Sequence, residues 1–216
     1  MICGIDEAGR GPLAGPVCAA AVVLAPDFPK EILGDSKKLS AEKREAASTT
    51  IYKTALAWGM GWASHEEIDE INILQASMLA MRRAFLSLLE NSTLQFRTLL
   101  QAESSLKLIV DGNSNPNIVY PPCEDFFYKG NFSCTPLVKA DSQVHEVMAA
   151  SIIAKTARDA LMNALAKQYP QYGYEKHKGY PTKDHVAKIK KFGPSPIQRY
   201  SFKIEGMYLE NKNNRK

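Results

Sequence analysis

A chain of 216 residues with 45% hydrophobic and 23% charged residues is long enough to bury a sizeable core and has the make-up of an ordinary globular protein, as one large domain or one domain with a small appendage. No apolar run of about 18 residues is present to span a bilayer, and Asp6, Glu7 and Arg10 interrupt the amino terminus where a secretory leader needs an apolar stretch, so a cytoplasmic protein is expected. Net charge is only +4, yet Lys167 to Lys216 holds 12 Lys and Arg against 4 Asp and Glu, which leaves the preceding part acidic. A basic carboxy-terminal quarter beside an acidic remainder suits a polyanionic substrate held near divalent cations; a solvated basic surface is the other reading. The four cysteines, Cys3, Cys18, Cys123 and Cys134, form no CxxC pair and read as small reduced core residues.

Ile2, Cys3 and Ile5 with Gly4 form a short apolar strand that runs into two adjacent carboxylates, Asp6 and Glu7. A carboxylate carried by a core strand is stable as an ion-pair partner or as a ligand for a hard cation. Gly9, Arg10 and Gly11 then make a tight loop, either a plain turn or a backbone able to approach a substrate closely, with a guanidinium suited to phosphate. Val17 to Leu24 is a second apolar strand, paired with the first in hairpin fashion. Asp35-Ser36-Lys37-Lys38-Leu39-Ser40 is a polar loop ending at a helix N-cap, Ser40, and the helix continues to about Lys53. Ala55 to Ser64 is a third strand. Glu66 to Glu90 is the longest helix, with Ile68, Ile71, Leu74, Met78, Met81 and Phe85 predicted on one face against a sheet.

Asn91 to Ser105 is predicted as a short helix with loops. Leu106 to Val110 is another buried strand, and it ends at Asp111, before Gly112 and Asn113. Two apolar strands thus deliver carboxylates at their carboxyl ends, where ligands collect in α/β sheets. Ser133 to Lys139 is strand-like, with Pro136 marking an edge position, and is followed by Ala140 and Asp141. A helix from about Val144 to Tyr169 contains small residues for close packing and an i,i+4 pair, Lys155 and Asp159. His145 is read as a surface or capping residue without a role. In the segment from His177 to His185, Tyr180 lies among basic residues, an arrangement that can stack on a sugar or base while cations hold phosphates. Lys183 to Phe192 is a short basic helix stopped by Gly193 and Pro194, and the polar tail Asn211 to Lys216 is expected to fray.

The run Asp6 to Val17 (DEAGRGPLAGPV) resembles the amino-terminal motif of the type 2 ribonucleases H, specifically bacterial ribonuclease HII. The loop from Asp35 to Ser40, Asn72 to Ala76 with Met81-Arg82-Arg83, the helix after Asp141, Gly179-Tyr180-Pro181-Thr182, and Gly193 to Pro196 with Arg199, Ser201 and Phe202 are similar to the same family. The resemblance implies a ribonuclease H-like α/β fold: a mixed central β-sheet flanked by helices, with a C-terminal helical extension. It implies a catalytic domain over 1–165 and a helical, basic substrate-binding region over 166–216 packed on the same domain. It also implies that Asp6, Glu7, Asp111 and Asp141 are catalytic, metal-binding acids, that the loop Gly9, Arg10 and Gly11 senses the ribose 2'-hydroxyl, and that Tyr180 packs on the nucleotide next to the ribose. Lys37 or Lys38 would meet a backbone phosphate, unless the two only add solubility.

Four clustered carboxylates disfavour one another's ionisation, and divalent cations relieve that conflict. Oxygen ligands alone, with no histidine or cysteine, suit Mg²⁺ or Mn²⁺ better than zinc, and two such ions about 3.5–4 Å apart would activate a water and stabilise the leaving 3'-oxygen of a phosphodiester. By resemblance, the expected reaction is endonucleolytic hydrolysis of the RNA strand of an RNA/DNA hybrid, and of ribonucleotide-containing duplex DNA on the 5' side of a single ribonucleotide, leaving 3'-hydroxyl and 5'-phosphate ends. A monomer with no membrane partner is the expectation. Ribonuclease HIII is a similar enzyme, but its fourth acid is usually glutamate and it carries an extra amino-terminal domain, whereas here position 141 is Asp and the catalytic strand starts at residue 2. A non-catalytic hybrid-binding protein is the alternative from another class; four intact acids argue against it, because a pure binder gains little from repelling its phosphate ligand.

Overall fold

The computed structural model describes residues 1–36, 38–102, 105–118 and 131–204. Among these, β1 (Ile2–Ala8), β2 (Val17–Val23), β3 (Ala57–Ala63), β4 (Ser105–Asp111) and β5 (Asn131–Leu137) form one sheet in the order β3-β2-β1-β4-β5. β1, β2 and β3 are an antiparallel meander, whereas β4 runs parallel to β1 and β5 parallel to β4. The expected mixed α/β sheet is therefore present, with Pro136 on the edge strand.

Helices cover both faces. α2 (His65–Glu90) and α3 (Leu94–Ala102) pack on one face, with Cys3, Ile5, Leu106, Leu108 and Val110 beneath them; α1 (Ala41–Thr54) and α4 (His145–Gln168) cover the other, over Cys18, Ala20 and Val22. Side chains alternate along a strand, so Asp6 and Asp111 share the α4 side of the sheet. Gly4 brings α4 close: a Cβ there would lie 2.1 Å from the carbonyl carbon of Glu146, so the first turn of α4 rests directly on β1. Cys3 and Cys18 are buried free thiols, both pushed up by burial, the latter to about 12, and Cys134 is a half-buried free thiol. Cys123 and the tail 211–216 lie outside the described residues.

The helix starts follow local chemistry. Ser40 accepts from Lys43 N at 3.2 Å, and Ser64 forms a reciprocal capping box with Glu67. One expectation fails inside α2. Asn72 leaves helical dihedrals (φ 67°, ψ 164°), and its side chain accepts from the amides of Leu74 and Gln75 at 3.0 and 3.1 Å, restarting the helix as a cap would. Counting threes and fours across that break does not hold, and Leu74 is 38% exposed while Ile68, Met78, Met81 and Phe85 are buried.

After α4 the chain makes a 3₁₀ turn at Pro170–Tyr172, α5 (Tyr174–His177) and α6 (Lys183–Phe192), the last with the bounds expected from its sequence. This region wraps the loop between β1 and β2: Leu13 N donates to Gly179 O, Gly15 N to Ile197 O, and Arg199 N to Leu13 O, each at 2.8 Å. No helix among the described residues is long and apolar enough to cross a membrane.

Candidate active site

β1 and β4 pair in parallel with Ile5 opposite Val110. The next residue on each strand is Asp6 and Asp111, at the same level and on the same face, on strands about 4.8 Å apart. Asp141 arrives from the 3₁₀ turn Ala140–Ser142 that follows β5, and its amide donates to Asp111 Oδ1 at 3.4 Å. One carboxylate oxygen from each of Asp6, Asp111 and Asp141 lies within 4.8 Å of the others.

Asp6 is buried, and Glu7 N donates to its Oδ1 at 2.7 Å. The Ser151 hydroxyl of α4 lies 2.8 Å from that of Ser36 and favours the ionised form of Asp6. Burial, followed by the charges of Glu7 and Asp111, pushes the Asp6 carboxyl well above the usual carboxylate range. Glu7 is not one of the three converging acids. Its Oε1 accepts from Arg10 Nη1 at 3.3 Å, and its buried Oε2 has no hydrogen-bond partner among the described residues. Burial pushes Glu7 up as well, and Arg10 opposes that rise. Like charges forced together beside an orphaned carboxylate oxygen suit a hard divalent cation: every donor is an oxygen, and added positive charge would favour the ionised form of both acids.

A cleft of about 200 Å³ is lined by Asp6, Glu7, Ala8, Gly9, Arg10, Gly11, Ser36, Ser151, Lys155 and Tyr180. The expected loop and tyrosine are thus brought to Asp6 and Glu7, while Asp111 and Asp141 do not line this cleft. Tyr180 is 39% exposed, and a Cβ on Gly11 would lie 3.5 Å from its ring. Its backbone is held on both sides: Tyr180 N donates to His177 O at 2.8 Å, and its carbonyl lies 3.0 Å from His185 Nδ1, with the two imidazoles stacked at 4.4 Å between centroids. Lys155 Nζ lies 6.0 Å from the centre of the Tyr180 ring and pairs with Asp159 at 2.7 Å, the pair expected from its spacing. Lys37 lies outside the described residues; its neighbour Lys38 is exposed and 3.5 Å from Asp35. His145 is half-buried at the start of α4 and does not line the cleft.

Ser36, Ser151 and Lys155 were not among the residues expected to line the site. The signal for Ser151 and Lys155 is a polar stripe, Ser151, Lys155 and Arg158, spaced by four and three along a helix otherwise rich in Ala and Ile.

A family model described as Ribonuclease HII matches residues 3–205. The ribonuclease HII of Treponema denticola is 53% identical over 212 residues, covering 96% of this chain and 100% of that protein. That of Dechloromonas aromatica is 48% identical over 202 residues, covering 94% and 90%. The crystal structure of ribonuclease H2 from Pyrococcus horikoshii is similar with a TM-score of 0.61 at 26% identity, covering 93% of each chain. A solved complex of PCNA with ribonuclease HII from Archaeoglobus fulgidus contains the same fold, with a TM-score of 0.63 at 21% identity over 97% of this chain and 98% of that one. A match along almost the whole chain, with relatives near half identity and a shared fold, shows that the chain belongs to the ribonuclease HII family.

Proposed function

We propose that this chain is an endonuclease that hydrolyses the RNA strand of RNA/DNA hybrids and cuts duplex DNA on the 5' side of a single embedded ribonucleotide, leaving 3'-hydroxyl and 5'-phosphate ends. The observation that carries the reading is the convergence of Asp6, Asp111 and Asp141, with Asp6 lining a cleft that also presents Glu7, Gly9, Arg10, Gly11 and Tyr180. Asp6, Asp111 and Asp141, with Glu7 beside them, would hold two Mg²⁺ or Mn²⁺ ions, which when bound supply an activated water and charge neutralisation at the phosphate.

The protein's own groups do the rest. The amide of Glu7 holds Asp6 Oδ1, so the carboxylate is aimed before substrate arrives. Arg10, beside Glu7 and half exposed, faces a phosphate of the cut strand. Tyr180 stacks on the sugar and sets how deep the ribose sits. Water attacks phosphorus and the bond to the 3'-oxygen breaks, so the 2'-hydroxyl is recognised without serving as nucleophile. Residues 1–165 would form the catalytic domain, and 166–216 a basic substrate-binding region on the same domain, with Tyr180 and the lysines of α6 along the duplex.

The test is cleavage of a labelled duplex with one ribonucleotide by wild type and Asp111→Asn, in Mg²⁺, Mn²⁺ or chelator. One cut 5' of the ribonucleotide, lost in the variant and in chelator, is expected. Binding without cutting in both metals would overturn the assignment in favour of a non-catalytic hybrid-binding protein. On the same duplex Tyr180→Ala should lose far more activity than Tyr180→Phe; equal losses would point to the phenol hydroxyl rather than to stacking.

A further inference from the structure

Two guanidiniums lie in the interior behind the Gly9 to Gly11 loop. Arg158 of α4 is 1% exposed and Arg199 is 0% exposed. Arginines so buried are ordinarily paired with acids, yet neither forms an ion pair among the described residues. Asp159, next to Arg158, is held by Lys155 and faces Arg44. Asp69 is occupied by the amides of Tyr200 and Ser201.

Their partners are backbone carbonyls. Arg158 donates from Nε to Pro16 O at 2.9 Å, from Nη1 to Lys178 O at 3.1 Å and from Nη2 to Ala14 O at 3.3 Å. Arg199 donates from Nε to Gly15 O at 2.7 Å, from Nη1 to Arg10 O at 3.0 Å and from Nη2 to Gly9 O at 2.7 Å. Burial, with the charge of Arg158 next, pushes Arg199 down to about 9, so it remains charged at neutral pH.

These contacts fix the direction of the loop's amides. In a trans peptide the carbonyl of one residue and the N–H of the next point opposite ways, and the described residues contain no cis bond. With the carbonyls of Gly9 and Arg10 turned inward to Arg199, the N–H groups of Arg10 and Gly11 point outward toward the cleft they line. Gly9 makes the turn possible: its φ is +98°, and a Cβ there would lie 2.0 Å from Arg158 Nε.

We propose that Arg158 and Arg199 are positioning residues for ribonucleotide recognition, holding the loop so that the amides of Arg10 and Gly11 are presented to the ribose 2'-oxygen and the adjacent phosphate. The proposal rests on the reading above that this loop senses the 2'-hydroxyl. Arg158 adds a second function, because its bonds to Ala14 O, Pro16 O and Lys178 O tie the stretch that follows the loop to the segment that leads into Tyr180, and the two binding elements are held in one frame. Lysine keeps the charge but lacks the planar fork that reaches three carbonyls at once.

The experiment compares wild type, Arg199→Lys and Arg158→Lys, each as the full chain, for binding to a duplex with one ribonucleotide and to the same duplex in all-DNA form. It is done in chelator so that nothing is cut, with circular dichroism on each protein. Wild type should prefer the ribonucleotide duplex, and Arg199→Lys should lose about tenfold of that preference, or all of it, with the folded spectrum unchanged and all-DNA binding weakened less than ribonucleotide binding. Wild type binding both duplexes equally would sink the 2'-hydroxyl reading itself. A wild-type preference that both lysine variants keep within about twofold would overturn the present proposal. So would unfolding of both variants, because the guanidiniums would then serve the fold rather than the loop.

Discussion

In front of the Gly9 to Gly11 loop stand Asp6, Asp111 and Asp141 with Glu7; behind it stand Arg158 and Arg199. Both are groups of like charge, and in each the buried members, Asp6 and Glu7 in front and the two arginines behind, have their charged form disfavoured by burial. They differ in how the cost is met. The arginines direct their fork donors to six backbone carbonyls. The acids leave Glu7 Oε2 without a partner among the described residues, and the charges of Glu7 and Asp111 raise the proton affinity of Asp6. A charge group completed inside the fold is built to hold still, whereas one left incomplete is built to take something from solution.

The largest effect that would sharpen this contrast is on Asp6. Asp6→Asn should lower cleavage by about a thousandfold, a loss of several kcal/mol of transition-state stabilisation. In chelator it should raise the thermal midpoint by about 2–4 °C, because about 1 kcal/mol of repulsion is relieved. A midpoint that falls instead would place the acids with the arginines as structural charge.

Arg199→Met should move stability the other way. It leaves the carbonyls of Gly9, Arg10 and Gly15 without this donor, at a cost of about 3–5 kcal/mol, or a drop of about 10 °C with or without Mg²⁺, read by thermal melts. A neutral result would break the comparison, since water or a backbone rearrangement would then satisfy the carbonyls as well.

Gly9→Ala tests the boundary between the two groups. The added methyl meets Arg158 Nε at a φ of +98°, and about 1–3 kcal/mol of stability should be lost in a denaturant titration.

The smallest effect is a pH slope. The Asp6 and Glu7 carboxyls are raised in the folded protein, so the folded state binds more protons than the unfolded one between the unfolded value near 4 and the raised folded values. Metal-free stability should therefore fall as pH rises from about 4 toward neutrality, by at most about 1.4 kcal/mol per pH unit for each carboxyl that stays protonated only in the folded state. Saturating Mg²⁺ should flatten the slope; an unchanged slope would mean that these acids are not the cation's ligands.

Much of the site was legible because its signals are local. Ile2 to Glu7 and Leu106 to Asp111 each read as an apolar strand ending in acid, and each is one. Thr182, Gly193 and the residues between carry their own start and stop signals, and α6 has the expected bounds. Asn72 was not legible as a break, because an asparagine inside an otherwise periodic run gives no sign that it will cap a second helix. Arg158 and Arg199 were not legible as buried, because arginine in a helix or a loop is ordinarily on the surface.

What the sequence by itself determined is which segments are strands, where helices start, and that acids sit at strand ends beside a glycine-rich loop; nearest-neighbour chemistry and apolar period are enough for these. Only the tertiary structure decided which acids meet. The parallel register of β1 with β4 sets Asp6 against Asp111, the turn after β5 adds Asp141, and Glu7 is left pointing to Arg10. Only the tertiary structure, too, placed Arg199 on Gly9, a contact between residues 190 positions apart. Pairing across such separations depends on how sheet and helices close around a shared core, and no local pattern in the chain encodes it.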